Sequence, residues 1–403
     1  MRRATDTSQR AGSDLMAEPS AFQVPATIVT GAGASQSVGD HARRLGADRV
    51  LLVTDPYMVS SGIADAVRER LVAAGVETTV FDGVQPDPTD RNVETGLDAL
   101  SACDAQAVVA VGGGSALDAA KMIAIRKTND GPISEFMGYH RIPRPGVPLI
   151  AIPTTAGTGS EVTRVTVITD SDKHTKMMIL DGKLVPTVAL VDFELTITMP
   201  QALTAHVGVD TLTHGIEAYV SRLSGPMTDP FALSCVRLVG QSLRQAWQEP
   251  NDREARASMA IAACHGGIAF ANSSVCLVHG MSRPLGAVFG VAHGLSNAVL
   301  LPTVTEYSLR GAPARYATVA RTFGAATAED SDRDAGAKLV SALQALNDDL
   351  QVPRLRDLRG VERDRFEESL PKMAEDALAS GSPARNPVVP TADDIVDLYR
   401  RAW

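Results

Sequence analysis

The chain changes hydrophobic period once, near residue 200, and that change sets what it can fold into. Before it, short β-rich runs recur at ATIVTG (26–31), RVLLVTD (49–55), TTVFDG (78–83), AVVAVGGGS (107–115) and PLIAIPTT (148–155). Helical patterns such as GIADAVRERLVAAG lie between most of them. Strands that alternate with helices predict a parallel sheet, because a parallel neighbour is reached only by a crossover and a helix is the compact one. From about Pro200, strand-like runs nearly vanish and Ala/Leu-rich segments such as FALSCVRLVGQSLRQAWQ and AGAKLVSALQALNDDL repeat at helical spacing. The expectation is an α/β domain over residues 22–199, an all-α domain over 200–403, and a disordered tail over 1–21, which opens MRRATDTSQRAGSDLMAEPS.

At 403 residues the chain is long for one core, which agrees with two domains. A net charge of −9 argues against nucleic acid or an anionic membrane surface as partner. No apolar run approaches the length that spans a bilayer, and no apolar stretch follows the basic residues of the N-terminus as in a secretory signal. Cys103, Cys235, Cys264 and Cys276 are scattered without a CxxC, which favours reduced thiols and a cytoplasmic location.

The first half carries chemistry at VAVGGGSALDAAK. A strand runs into Gly112, Gly113 and Gly114, and Ser115 opens a helix with Asp118 three residues on, as in a capping box. Glycines let the backbone approach a ligand, and a helix N-terminus accepts phosphate oxygens through its free N–H groups and dipole. The run is not GxGxxG, and a plain tight turn before a capped helix has the same residues. A second turn, PTTAGTGSE (153–161), adds the hydroxyls of Thr154, Thr155, Thr158 and Ser160. Two such loops at strand ends suit a nucleotide diphosphate. Asp55 closes the second strand, where a carboxylate can hold a ribose 2′-OH and repel a 2′-phosphate, which points to NAD. The sequence TDP is also an ordinary turn, so both readings of Asp55 stand.

The second half carries a metal-binding pattern. Asp210 and His214 in GVDTLTHGIEAYVS are one helical turn apart on one face. His279 and His293 in VHGMSRPLGAVFGVAHG would be about 21 Å apart on one straight helix. Pro284, Gly286 and Gly290 lie between them, residues that end a helix and turn the chain, so the imidazoles can converge. Three imidazoles and one carboxylate suit a borderline divalent ion such as Fe(II) or Zn(II). His206, one turn before Asp210, reads as part of a polar helix face.

Together these segments resemble the iron-containing, or group III, alcohol dehydrogenases. The resemblance runs from about Phe22 to the C-terminus through GGGSALDAAK, PTTAGTGSEVT, LVPTVALVDFELT, GVDTLTHGIEAYVS, LVHGMSRPLGA and AHGLSNAVLLP. It implies a Rossmann-like dinucleotide-binding domain followed by a helical metal-binding domain, the dehydroquinate synthase-like arrangement. It implies a metal between them on Asp210, His214, His279 and His293, and NAD along Asp55, Gly113, Gly114, Ser115, Thr154, Thr155 and Lys176. Phe270 would lie near the nicotinamide end. The expected activity interconverts a small aldehyde and a primary alcohol in a homodimer.

The family commonly reads HxxxH where this chain has His279-Gly-Met-Ser-Arg283. Arg283 cannot shuttle a proton at neutral pH, since its pKa stays above about 12. It can clamp an anion with its planar fork, which would suit an aldehyde with a carboxylate or phosphonate tail, or it can simply pair with an acidic neighbour or reach solvent. A rival is a metal- and NAD-dependent lyase of the dehydroquinate synthase type, in which the cofactor is reduced and reoxidised within one turnover.

Overall fold

A computed structural model describes residues 21–173 and 175–403, so all but Ala21 of the expected tail lies outside the described residues. Strands and helices alternate first: β1 (Thr27–Thr30), α1 (Val38–Arg44), β2 (Arg49–Val53), α2 (Pro56–Ser60), α3 (Ile63–Ala73), β3 (Glu77–Phe81), α4 (Asp90–Ala102), β4 (Ala107–Gly112) and α5 (Gly114–Arg126). Four strands follow β5 (Gly138–Tyr139): β6 (Leu149–Pro153), β7 (Val165–Asp170), β8 (Thr175–Leu180) and β9 (Val188–Val191). From Gln201 every long element is a helix: α6 (Gln201–Val220), α7 (Asp229–Gln248), α8 (Arg253–Asn272), α9 (Leu277–Phe289), α10 (His293–Ser308), α11 (Pro313–Phe323), α12 (Asp332–Asp349), α13 (Arg363–Ala379) and α14 (Ala392–Ala402).

The main sheet runs β1-β9-β6-β4-β2-β3, all parallel, with Val50 opposite Ala107 and Val108 opposite Leu149. Its inner strands β4 and β6 are buried along their whole length, as a sheet covered on both faces requires. The chain passes from β2 outward to β3, then returns to the other side of β2 as β4. That reversal opens a crevice at the carboxyl ends of β2 and β4, the usual ligand position in such sheets. Asp55 and Gly112 to Ser115 sit there.

A small second sheet, β5-β8-β7, was not foreseen. In β7 buried and part-buried residues alternate, so Thr and Asp dilute the apolar run that marked the main strands.

The helical half packs around α6, which is buried on all sides from Gly208 to Val220. Between α8 and α9 the chain bends by 101°, which returns α9 toward α6. The break expected at Pro284 and Gly286 does not occur. α9 continues through Pro284 to Phe289, and only Gly290, at φ 67°, turns the chain into α10. A proline in a helix removes one hydrogen bond, but the burial of Leu277, Val278, Met281 and Leu285 on the same helix outweighs that loss. No single helix among the described residues is long and apolar enough to cross a membrane.

Candidate active site

Asp210 is the centre of the second-half cluster. His279 Nε2 lies 3.5 Å, His214 Nε2 3.7 Å and His293 Nε2 4.0 Å from its Oδ1. Ligand atoms of Asp210, His279 and His293 all lie within 4.8 Å of one another. Donors bind a divalent ion at about 2.0–2.2 Å, so atoms this close can share one ion between them. Asp210, His214 and His279 are buried, whereas the His293 side chain is 47% exposed and leaves the cluster accessible from one side. The donor set fits a divalent metal.

Two residues missed in the sequence organise these donors. Glu217 Oε2 accepts from Cys276 N–H at 2.7 Å and from His279 Nδ1 at 2.7 Å, and Oε1 accepts from Val278 N–H at 2.6 Å. One carboxylate therefore satisfies the free N-terminus of α9 and fixes the His279 ring with Nε2 toward Asp210. Asn297 Nδ2 donates to Asp210 Oδ1 at 2.6 Å and lies 3.2 Å from both His279 Nε2 and His293 Nε2. Spacing held the signal for both. Glu217 is three residues after His214 on α6, and Asn297 is four after His293 on α10, each on its ligand's helix face.

Electrostatics follow from this crowding. Burial opposes ionisation of Asp210, but the three imidazoles outweigh it and hold the carboxyl well below the usual range. Burial lowers His214 and His293 to about 4 against the pull of Asp210. Burial also works against charge on His279, yet the Glu217 and Asp210 carboxylates prevail and push it up to about 9. Phe270, on α8, stacks on His214 with ring centroids 4.4 Å apart, so it walls the histidine cluster.

The first-half residues gather in a separate cleft of about 370 Å³ at the crevice. Asp55, Gly113, Gly114, Ser115, Thr154 and Thr155 line it, opposite apolar Leu195, Met199 and Leu203. Gly112 lies beneath with φ 150°, where a Cβ would stand 2.7 Å from that of Ala116. Asp55 Oδ1 caps α2 by accepting from Tyr57 and Met58 N–H, so the turn reading of Asp55 is realised. Its second oxygen faces Gly112 within the cleft.

Four residues sit differently from expectation: Ser115, Asp118, Thr158 and Lys176. The capping box is absent, because α5 begins at Gly114 behind Gly113 and Ser115 already lies in its first turn. Asp118 instead accepts from Ser160 Oγ at 2.7 Å and Val167 N–H at 2.9 Å, under the second glycine loop. Thr158 turns inward, with Oγ1 accepting from Ser160 N–H at 3.2 Å. Lys176 pairs with Asp87 at 2.5 Å, beside Gln85 and Pro86 of the cleft rim. Arg283 Nη1 donates to Ser382 Oγ at 3.0 Å, and no carboxylate lies within 4 Å of its guanidinium among the described residues.

Comparison with known proteins places both halves. Residues 25–193 match the family described as iron-containing alcohol dehydrogenase, and residues 204–403 match the C-terminal region of the Fe-containing alcohol dehydrogenase family. An NAD-dependent methanol dehydrogenase from Bacillus methanolicus is 37% identical over 94% of this chain and 99% of its own. A crystal structure of 1,3-propanediol oxidoreductase superposes with TM-score 0.93 at 37% identity, covering 96% of this chain and 100% of that one. A sulfoacetaldehyde reductase from Bifidobacterium kashiwanohense in complex with NAD+ superposes with TM-score 0.85 at 29% identity, covering 96% and 99%.

Proposed function

We propose, from the premise that this chain belongs to the iron-containing alcohol dehydrogenase family, that Asp210, His214, His279 and His293 hold its divalent ion while the cleft from Asp55 to Thr155 holds NAD. The chain is an NAD-dependent oxidoreductase acting on alcohols and aldehydes. The convergence of three imidazole nitrogens on one Asp210 oxygen carries the metal assignment. Fe(II) is the ion we assign, with Zn(II) the alternative for the same donors.

When bound, the ion supplies Lewis acidity toward the substrate oxygen and NAD supplies the hydride acceptor. The protein does the rest. Glu217 keeps His279 in the tautomer that presents Nε2, and Asn297 holds the Asp210 carboxylate in place. The stacked Phe270 and the buried α6 face keep water from His214. Arg283 moves no proton, so proton exchange with solvent runs through water or the cofactor ribose on the open His293 side.

The substrate, in this reading, carries a negative charge. Four of the five Arg283 N–H donors make no hydrogen bond among the described residues, and its fork suits a carboxylate, phosphonate or sulfonate. The sulfoacetaldehyde of the related reductase is such an anionic aldehyde. The lyase rival draws no support from relatives named as dehydrogenase, oxidoreductase and reductase. The four cysteines are unpaired, which supports the reduced compartment proposed for the chain, and the homodimer is proposed from the family alone.

The deciding experiment loads the protein with Fe(II) or Zn(II) without oxygen and follows NADH absorbance over a panel of short neutral and anionic aldehydes. Turnover that requires metal, and is lost in His293→Ala, supports the reading. Full activity in metal-free His293→Ala protein sinks it.

A further inference from the structure

The helix that opens with the first glycine turn buries a lysine that the reaction does not use. Lys121, on α5, is 1% exposed, and its Nζ donates to Ser160 Oγ at 2.9 Å, Thr163 Oγ1 at 2.9 Å and Val165 O at 2.8 Å. All three protons go to one segment, and no carboxylate lies within 4 Å of the ammonium among the described residues. Ser160 Oγ passes the connection on by donating to Asp118 Oδ1 at 2.7 Å, back on α5.

Segment 160–165 continues directly from Thr154, Thr155 and Thr158. α5 carries Gly114 and Ser115 at its own start. The network therefore ties together the two strand-end turns that line the dinucleotide cleft. Little slack remains between them. A Cβ on Gly114 would come within 2.8 Å of Thr158 Cγ2, and one on Gly159 within 2.6 Å of Gly267 Cα on α8. The loop is thus gripped between α5 and α8, and Lys121 fixes where along α5 it sits.

Burying an ammonium without an ion pair is costly, and an apolar side chain of the same length would fill the space at less cost. What an apolar side chain cannot do is hold three acceptors at once. Burial pushes the Lys121 ammonium down to about 8 and the neighbouring buried Glu161 carboxyl up to about 7, the mark of a site that carries charge against its surroundings. Fully satisfied buried networks of this kind fix one geometry.

We propose that Lys121, acting through Ser160 and Asp118, is a positioning residue for the dinucleotide, holding the second glycine turn at the height where its threonines meet the cofactor. The inference rests on the reading of the cleft as the NAD site. It separates Lys121 from the metal cluster, whose donors stand on α6, α9 and α10.

The experiment titrates NAD calorimetrically into wild type, Lys121→Met and Ser160→Ala, and measures Zn(II) affinity of each by chelator competition. The expected result is a Kd for NAD raised about tenfold in Lys121→Met and about threefold in Ser160→Ala, as loss of several or of one buried hydrogen bond implies. KM for NAD should rise in parallel while kcat at saturating NAD and Zn(II) affinity stay within about twofold of wild type. A folded Lys121→Met protein that binds NAD as wild type does overturns the proposal. So does an equal loss of NAD and Zn(II) affinity, which would mark Lys121 as a general support of the fold. If Lys121→Met does not fold, Ser160→Ala decides by the same readouts. Failure of the wild type itself to bind NAD would refute the cleft assignment instead.

Discussion

Glu217→Gln tests how much of the metal site depends on a residue that touches no metal. The side chain keeps its volume, but one oxygen becomes an NH2 donor. Its best orientation keeps the carbonyl oxygen toward Cys276 N–H and His279 Nδ1 and points the NH2 at Val278 N–H, leaving that buried donor without a partner. An unsatisfied buried donor costs about 1–3 kcal/mol, and two hydrogen bonds that lose a charged acceptor weaken by about 1 kcal/mol each, for a total of about 3–5 kcal/mol. The total divides between two equilibria. Loss of a carboxylate behind a ligating imidazole lowers metal affinity about 10- to 100-fold, or about 1.4–2.7 kcal/mol, and the remainder falls on folding. Chelator competition for Zn(II) reads the first part and thermal unfolding of the metal-free protein reads the second. Zn(II) affinity within about twofold of wild type, together with an unchanged unfolding temperature, would refute the role given to Glu217.

Three further outcomes are expected. Asp55→Ser keeps a cap on α2 but removes the charge, so the ratio of kcat/KM with NADP to that with NAD should rise, and an unchanged ratio would leave Asp55 a turn residue only. Arg283→Ala should lower kcat/KM for an ω-carboxylate aldehyde by about 1.5–3 kcal/mol and spare a neutral aldehyde of equal length, whereas equal losses would make the Ser382 contact its whole role. Lys121 has a folded pKa of about 8 against an ordinary 10.5, so between these values the unfolded chain binds more protons and stability from this group rises with pH. That contribution is complete above 10.5 and lost as pH falls through 8, and the stability difference between wild type and Lys121→Met, followed by denaturant titration, should climb over that window. A difference that stays flat from pH 7 to 10 would contradict it.

What the sequence revealed depended on how rare each signal is. Continuous apolar runs such as AVVAV and LIAI have few readings besides a strand covered on both faces, and β4 and β6 formed there. Residues 165–180 mix Thr, Asp and Lys among their apolar positions, so the β7–β8 hairpin carried no comparable run. Histidine is scarce, which made His214, His279 and His293 conspicuous, but glutamate and asparagine are common on any helix. Only their spacing from the histidines distinguishes Glu217 and Asn297, and that spacing acquires meaning once the histidines are seen to converge on Asp210. Pro284 misled because the local rule on helix breaking carries no information on burial, which here decides. The capping box failed by one residue: the helix starts at Gly114, and a cap pattern shifted by one position has a different set of N–H groups to satisfy.

One helix relates the two halves of the site. At about 100° per residue, Asp210, His214 and Glu217 fall within an arc of about 60° on α6. Thr211 stands about 100° round from Asp210 on the same helix, and its Oγ1 lies 3.2 Å from Ala156 O and 3.3 Å from Gly157 O of the second glycine loop. A Cβ at Gly157 would in turn stand 2.6 Å from Val207 Cβ, so the loop lies directly against α6. The proposed metal donors and the proposed cofactor turn are therefore placed by adjacent faces of one buried helix, and the loop is fixed from its far side by Lys121. Alcohol oxidation requires the substrate carbon held within about 3–3.5 Å of the acceptor, a tolerance that independent loops from two domains would not keep. Placing both supports on α6 makes that separation depend on side-chain lengths rather than on domain motion.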